Sequence, residues 1–338
     1  MRVPRVYILS GIVALFAAVA LGFTAFSALG SDDGDAQDFQ QSSDPSGNIP
    51  EDQLQQVNVV LAGADWAVGR NNFVFGITNG KDEPQGGATA VATFYDIRDS
   101  KNPRPIATVN AVQSAPGVGQ VVEHVHGNGE VHKHGGEDDN RVGYYAPVDF
   151  PFAGYWGVSV DITLKDGTKG QSNIAFNVVP KHRFPAPGDT AIKSDNLTEA
   201  DVRDIKEIDS GDPPNDMHDV KIKDAIAAHR PLVVVFATPA FCTSRFCGPV
   251  TEEVEDLQED YRTQVDFVHV EVWRNFDNKE LNPTMKEWLV QPDGSYTEPL
   301  VYVIDKNGVI YDRWEGPVAR NIMEASVKAV ANGDTYNK

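Results

Sequence analysis

Two segments that read as buried strands constrain the fold of this chain more than any other feature. They are the continuous apolar run "PLVVVFA" at residues 231–237 and the segment "VDFVHVEVW" at residues 265–273. An unbroken apolar run is typical of a strand buried on both faces, with helices covering the sheet. The segment between them, "PVTEEVEDLQEDYR" at residues 249–262, has the apolar periodicity of an amphipathic helix. The strand–helix–strand order predicts an α/β unit.

The residues on either side extend this α/β unit over residues 215–338. "DVKIKDAIAAHR" at residues 219–230 is an amphipathic helix that precedes the first strand. "EPLVYVIDKNGVIYDRWEG" at residues 298–316 reads as a strand, a turn and an antiparallel return strand. "ARNIMEASVKAVANG" at residues 319–333 is a closing helix with a glycine just past its end.

The chain contains only two cysteines, Cys242 and Cys247, and both lie between the first apolar strand and the helix. Two cysteines are too few for a disulfide-stapled scaffold. A bond between them would close a very small loop and stabilise little, so pairing would serve chemistry. Five residues of regular helix rise ~7.5 Å, beyond the ~4.4–6.8 Å that a disulfide allows between α-carbons. Either Cys242 lies off the helix in a turn that folds back, or the two sulfurs never bond.

The order of strand, cysteine turn, helix, strand, Pro-led hairpin and helix resembles the thioredoxin fold. Over residues 215–333 the chain is similar to membrane-tethered, extracytoplasmic thioredoxin-like proteins. The resemblance implies that Pro299 is the family's cis-proline, that Cys242 attacks and that Cys247 resolves. A helix N-terminus and a nearby cation such as Arg245 lower the pKa of a thiol. The expected function is thiol–disulfide exchange with protein thiols and disulfides, supplied with electrons by a redox partner and requiring no cofactor.

The sequence departs from the family pattern in its Cys-x4-Cys spacing and in its first strand. Some thioredoxins carry a buried carboxylate on that strand as a proton acceptor, whereas residues 231–237 are all apolar. Glu271 and His269, two residues apart on the second strand, share one face. They are either proton-transfer groups or satisfied buried polar groups beside the site.

Two other functions remain open. The cysteine turn also resembles that of the Sco/SenC copper chaperones, and two thiolates suit the soft ion Cu(I). The histidine that completes their site is missing from "GSYTEPLVYVI" at residues 294–304, so redox exchange ranks ahead of copper binding. The third alternative is a redox-inert interaction protein in which the cysteines form a local staple.

Residues 55–180 have a β texture. Short runs rich in Val, Ile, Phe and Tyr are bounded by Gly, Pro, Asn and Asp, which predicts an all-β, Ig-like sandwich. "YAPVDFPFAGYWGVSVDI" at residues 145–162 resembles small extracytoplasmic Ig-like domains of the FixH/YtkA type. A Pro-rich segment follows, and residues 181–214 are predicted to be a linker.

The segment "VVEHVHGNGEVHKHGGEDDN" at residues 121–140 contains half of the eight histidines: His124, His126, His132 and His134. Folded as a hairpin with His124 opposite His132, it would point all four rings the same way and suit Cu(II) or Zn(II). A two-residue loop would shift the register and split the rings between the faces. The alternative is a solvated loop.

The N-terminus predicts a membrane protein. Arg2 and Arg5 precede an uncharged apolar run over residues 6–30. This run exceeds the ~7–15-residue core of a signal peptide and reaches the ~20 residues of a membrane span. We expect an uncleaved transmembrane helix within residues 1–30, with its N-terminus cytoplasmic; a cleaved signal peptide is the alternative.

The rest of the chain is then extracytoplasmic, where disulfides persist. Residues 31–54 are acidic and polar and predict a disordered tether. The formal net charge of −20 argues against nucleic acid as a partner.

Overall fold

The computed structural model describes residues 39, 57–99, 101–117, 122–125, 131–134, 142–242 and 244–337. For residues 122–125 and 131–134 only the backbone is described. The predicted membrane segment, the predicted tether apart from Phe39, and His126 lie outside the described residues. Within the described part of the chain, no helix is both long and apolar enough to cross a membrane.

The first part of the chain is built from strands. Its described elements are β1 (Val57–Leu61), β2 (Gly69–Asn79), β3 (Thr89–Asp96), β4 (Arg104–Ser114), β5 (Val122–Val125), β6 (Val131–His134), β7 (Gly143–Phe150), β8 (Gly154–Thr163) and β9 (Lys169–Val178). The strands that the residue texture predicted are present, so the predicted β architecture of this part is confirmed. Its closer assignment as an Ig-like domain stays a prediction.

Seven of these strands form an antiparallel sheet in the order β1-β2-β7-β4-β3-β8-β9. The sheet curls until its first and last strands adjoin: the Val59 amide donates to the Ser172 hydroxyl at 3.3 Å, and Ala67 bridges to Val179. Alternate side chains point inward, as the two-residue period of a strand requires. They form an aromatic-rich core that includes Phe73, Phe94, Phe150, Trp156 and Phe176.

Strands β5 and β6 form a separate two-stranded hairpin in the histidine-rich segment. Their register places His124 opposite His132 and Val122 opposite His134. This is the register on which the predicted four-histidine arrangement depends. Metal binding there stays a prediction.

The second part alternates strands and helices. Its described elements are α1 (Ile222–Ala227), β10 (Leu232–Ala237), α2 (Cys247–Tyr261), β11 (Asp266–Glu271), β12 (Trp273–Asn275), β13 (Glu280–Leu281), α3 (Pro283–Leu289), β14 (Leu300–Ile304), β15 (Ile310–Glu315) and α4 (Arg320–Ala331).

The main sheet of this part has the order β11-β10-β14-β15, with β10 parallel to β11 and the other pairs antiparallel. Val233 and Val235 pack in one cluster with residues of α2 and α4, whereas Val234 and Phe236 pack in another with residues of α1 and α3. Both faces of β10 are therefore buried, which explains its unbroken apolar run. The α/β prediction for this region is confirmed, with the strand and helix order on which the thioredoxin resemblance rested.

The two parts pack directly against each other. Arg313 of β15 donates to Asp65 at 2.9 Å, and the Tyr145 hydroxyl of β7 donates to the Glu315 carbonyl at 2.7 Å. Val74 and Tyr145 belong to the same apolar cluster as Cys247. Residues 181–214 are predicted to be a linker. The start of this segment contacts Asp65, the residue that pairs with Arg313 where the two parts meet: the Arg183 amide donates to Asp65 at 2.9 Å.

Phe39 differs from the solvated tether that its acidic surroundings predict. The side chain is only 1% exposed and its ring lies 5.5 Å from that of Tyr95. It packs over Gly157, where an added Cβ would come within 2.5 Å of the ring. One aromatic residue among acids gives no periodic signal, so the sequence did not reveal that Phe39 is buried.

Candidate functional site

The two cysteines are joined in a disulfide at the N-terminus of α2. Cys247 is the first residue of the helix and Cys242 lies in the preceding turn, which brings their α-carbons to 5.9 Å. The chain reverses through Arg245, whose φ of 63° is left-handed and uncommon for a residue with a side chain. Of the two sequence-based alternatives, the structure has the turn that folds back.

The two sulfurs differ in environment. Cys247 is fully buried, whereas Cys242 is half-buried and follows Phe241, which is 40% exposed. The Cys247 amide donates to Cys242 Sγ at 3.3 Å, and the Ser244 hydroxyl lies 3.1 Å from the same sulfur. An N–H at a helix N-terminus stabilises negative charge on its acceptor. Cys242 is therefore the sulfur with better access and better support for a thiolate.

Glu298 is a site residue that the sequence reasoning missed. Its carboxylate lies within 4.8 Å of both sulfurs, and its Oε2 is buried with no hydrogen-bond partner among the described residues. Burial, and then the charge of Glu271, raise the pKa of Glu298 to about 8. The Glu298–Pro299 peptide bond is cis and Pro299 is buried, as the thioredoxin resemblance implies for Pro299. The available signal was an acid directly before that proline.

Glu271 and His269 lie in β11 beside the site. Glu271 is 4% exposed and accepts from the amides of Ser210 at 3.0 Å and Trp273 at 3.3 Å. His269 Nε2 contacts the Ala237 carbonyl at 3.2 Å, which fits an Nε2–H tautomer that donates to it. The reading of both as satisfied buried polar groups fits these contacts.

A second polar cluster, Asp209 with His218 and His269, is buried, and its three ligand atoms lie within 4.8 Å of one another. Burial alone would raise the pKa of Asp209, but its contacts with His218 and His269 and the hydrogen bond from the Gly211 amide outweigh burial and lower that pKa. The lone pair of His269 Nδ1 already accepts from Asn215 Nδ2 at 2.8 Å. His218 Nε2 contacts Asp209 at 3.0 Å, and its Nδ1 has no described partner that could orient the ring of a metal ligand. The cluster therefore suits a hydrogen-bond network that fixes the 209–218 loop better than it suits a metal site.

An open cleft of about 530 Å³ lies beside the cysteine turn. Phe241 and Phe276 stack at its wall with their ring centroids 3.9 Å apart, and Glu271 lines the same cleft. Lys279 Nζ lies 3.7 Å from the Phe276 ring centroid. Phe276 is carried by the turn between β12 and β13, so this short hairpin forms part of the approach to Cys242.

The structure therefore brings some predicted site residues together and separates others. Cys242 and Cys247 meet in one centre, and Pro299 joins it through its neighbour Glu298. Arg245 is exposed on the turn between the sulfurs. His124, His132 and His134 lie in the β5–β6 hairpin, which among the described strands forms a sheet separate from β11-β10-β14-β15, the sheet beside the cysteine turn.

Comparisons with known proteins give little similarity. No family model matches the chain. No curated protein matches it either. Among solved structures, the solution structure of a thioredoxin-like protein in the oxidised form is 19% identical, covering 45% of this chain and 98% of that chain with a TM-score of 0.25.

Proposed function

We propose that this protein is a thiol–disulfide oxidoreductase of the thioredoxin type that uses Cys242 and Cys247. One observation carries the proposal: a disulfide at a helix N-terminus, with one accessible sulfur that accepts a helix amide and one buried sulfur. Thiol–disulfide exchange needs an approachable sulfur and a stabilised thiolate leaving or attacking group. The arrangement supplies both.

The reaction follows from this asymmetry. A substrate thiolate attacks Cys242 Sγ, the bond between the two sulfurs breaks, and its electron pair leaves on Cys247, which takes up a proton. The second substrate thiol, as thiolate, then attacks the mixed disulfide and releases Cys242. The protein is reduced to the dithiol and the substrate dithiol is oxidised to a disulfide. In the opposite direction Cys242 attacks a substrate disulfide and Cys247 resolves the mixed disulfide.

The setting we propose is extracytoplasmic. A transmembrane helix would anchor the chain, an Ig-like domain would precede the thioredoxin-like region, and the partners would be protein thiols or disulfides and a redox partner that restores the cysteine pair. A compartment in which disulfides persist fits this chemistry. A substrate polypeptide would lie in the cleft beside Phe241. No cofactor is required.

Metal binding is the second candidate function. After reduction, Cys242 and Cys247 would present two thiolates close together. Cu(I) prefers soft ligands such as these. The four histidines of the β5–β6 segment would be a separate site for Cu(II) or Zn(II).

A redox titration of the full chain distinguishes these functions. We expect the cysteine pair to equilibrate reversibly with mixtures of reduced and oxidised dithiothreitol, with thiols counted by alkylation and mass spectrometry. The Cys242→Ser variant should retain a thiol that forms no intramolecular disulfide. A pair that cannot be reduced in the folded protein would overturn the oxidoreductase proposal. Stoichiometric Cu(I) or Zn²⁺ binding to the reduced protein, lost in Cys242→Ser, would support the second candidate instead.

A further inference from the structure

We propose that Glu298 is the proton-transfer residue of the cysteine pair, supplying the proton that Cys247 needs when the disulfide opens. The inference rests on the proposed oxidoreductase function and deepens it. It assigns a role to a residue that lies outside both the cysteine turn and β10, the strand before that turn.

The position of Glu298 carries the inference. Its carboxyl oxygen lies within 4.8 Å of both Cys242 Sγ and Cys247 Sγ. A rotation of the side chain or one intervening water spans such a separation. Glu298 lies two residues before β14, the strand that pairs with β10, and β10 leads into the cysteine turn.

The hydrogen bonding of Glu298 also fits a group held ready for a proton. Oε2 is buried and has no partner among the described residues, although a buried carboxyl oxygen ordinarily finds one. The neighbouring acid, Glu271, is committed to the amides of Ser210 and Trp273. Strand β10 is apolar from Leu232 to Ala237, so it offers no carboxyl group for this task.

Burial and a neighbouring negative charge keep a proton on Glu298 near neutral pH. Burial is the larger cause of its raised pKa of about 8, and the negative charge of Glu271 adds to it. Tyr296 also interacts with it: burial, and then the charge of Glu298, raise the pKa of Tyr296. Below about pH 8, Glu298 is therefore a neutral acid beside two sulfurs.

The step balances with this acid. When a substrate thiolate attacks Cys242 Sγ, the electron pair of the breaking sulfur–sulfur bond passes to Cys247 Sγ. The Glu298 carboxyl group gives its proton to that sulfur and becomes a carboxylate, which solvent protonates again. In the opposite direction the Glu298 carboxylate takes the proton from the Cys247 thiol, and the resulting thiolate attacks the mixed disulfide at Cys242.

The test is the pH profile of disulfide reduction in the full chain. Dithiothreitol reduces the oxidised protein between pH 6 and 10, and each rate is divided by the dithiothreitol thiolate concentration. In the wild type this normalised rate should fall as pH rises through about 8, because Glu298 loses its proton there. The Glu298→Gln variant should lose this dependence and react about 10²-fold more slowly at pH 7, the lower end of what a positioned acid contributes.

Three further variants sharpen the test. Glu298→Asp should keep the fall in normalised rate with rising pH (the pH-dependent limb), at a lower rate, because it retains the acid on a shorter side chain. Glu271→Gln should move this limb to lower pH, because the charge that disfavours ionisation of Glu298 is gone. Glu259→Gln, which removes a charge from an exposed position on α2, should match the wild type.

The failures of the two proposals are distinguishable. A wild-type protein that shows no exchange with dithiothreitol would defeat the oxidoreductase function, and this inference with it. An active wild type whose profile is unchanged in Glu298→Gln would defeat only the role of Glu298. Should Glu298→Gln not fold, as judged by circular dichroism, the limbs of Glu298→Asp and Glu271→Gln decide the matter, and a limb unmoved in Glu271→Gln counts against Glu298.

Discussion

The buried ion pair of Asp65 and Arg313 should contribute strongly to the stability of the whole molecule. The Asp65 side chain is fully buried, that of Arg313 is 8% exposed, and their charged atoms lie 2.9 Å apart. The Asp65→Asn variant would leave the guanidinium buried without its counter-charge. Removing one partner from a buried pair costs about 3–5 kcal/mol. We expect the free energy of unfolding to fall by about 4 kcal/mol at pH 7.

The pH dependence gives this prediction a second test. Burial would raise the pKa of Asp65, but the hydrogen bond from His182 and the charge of Arg313 outweigh it and hold that pKa well below its ordinary value. A lowered folded-state pKa contributes stability in full above the unfolded-state pKa, near ~3.9, and the contribution is lost as pH falls towards the folded-state pKa. The difference between wild type and Asp65→Asn should therefore be constant from pH 7 to about pH 5 and shrink in acid.

Urea denaturation of the oxidised protein, followed by tryptophan fluorescence and circular dichroism, measures this difference. The control is Lys223→Gln, which breaks a pair with Asp195 whose side chains are 39% and 61% exposed. An exposed pair contributes only about 0–1 kcal/mol, so this variant should be close to wild type. A loss below about 1 kcal/mol in Asp65→Asn, or a loss that grows in acid, would refute the reasoning.

Three further predictions concern the site and the histidine segment. Reducing the Cys242–Cys247 disulfide should lower the free energy of unfolding by roughly 2 kcal/mol, because the loop that it closes is short. Urea denaturation with and without dithiothreitol measures this difference, and a loss above ~4 kcal/mol would contradict the prediction. Phe276→Ala, which removes the stack on Phe241, should slow oxidation of reduced, unfolded ribonuclease roughly 2- to 10-fold, the value of one aromatic contact. Exchange with dithiothreitol should be unchanged. Equal slowing of both reactions would contradict a role for Phe276 in docking a substrate polypeptide. Calorimetric titration with Cu(II) or Zn(II) should show stoichiometric binding that is lost in His132→Ala, and binding that survives the substitution would contradict the histidine site.

Local patterns predicted much of the fold. The unbroken apolar run of β10 predicted a strand buried on both faces because each of its side chains enters one of two apolar clusters. The rise of a helix, compared with the reach of a disulfide, showed that Cys242 must lie off α2 for the two sulfurs to bond. Both arguments use only neighbours in sequence, which is why the residues alone sufficed.

Contacts between distant residues could not be predicted in this way. Asp65 and Arg313 are 248 residues apart, and neither stands out in its own segment. Glu298 precedes a proline that the thioredoxin resemblance identified, but its distance from the sulfurs depends on how β14 pairs with β10. Phe39 is a single aromatic residue without a periodic pattern. The roles of Arg245 and Pro299 in catalysis stay predictions.

The apolar cluster that holds Cys247 sets a limit on how the α/β part of the chain can be isolated. Val74 and Tyr145, from the other half of the molecule, are members of that cluster. A fragment starting at residue 215 would expose to solvent the apolar side chains that Val74 and Tyr145 cover. It would also leave Arg313 without the Asp65 carboxylate. Such a fragment should aggregate or unfold locally around the cysteines. An assay that fails on the fragment would therefore not count against the intact protein.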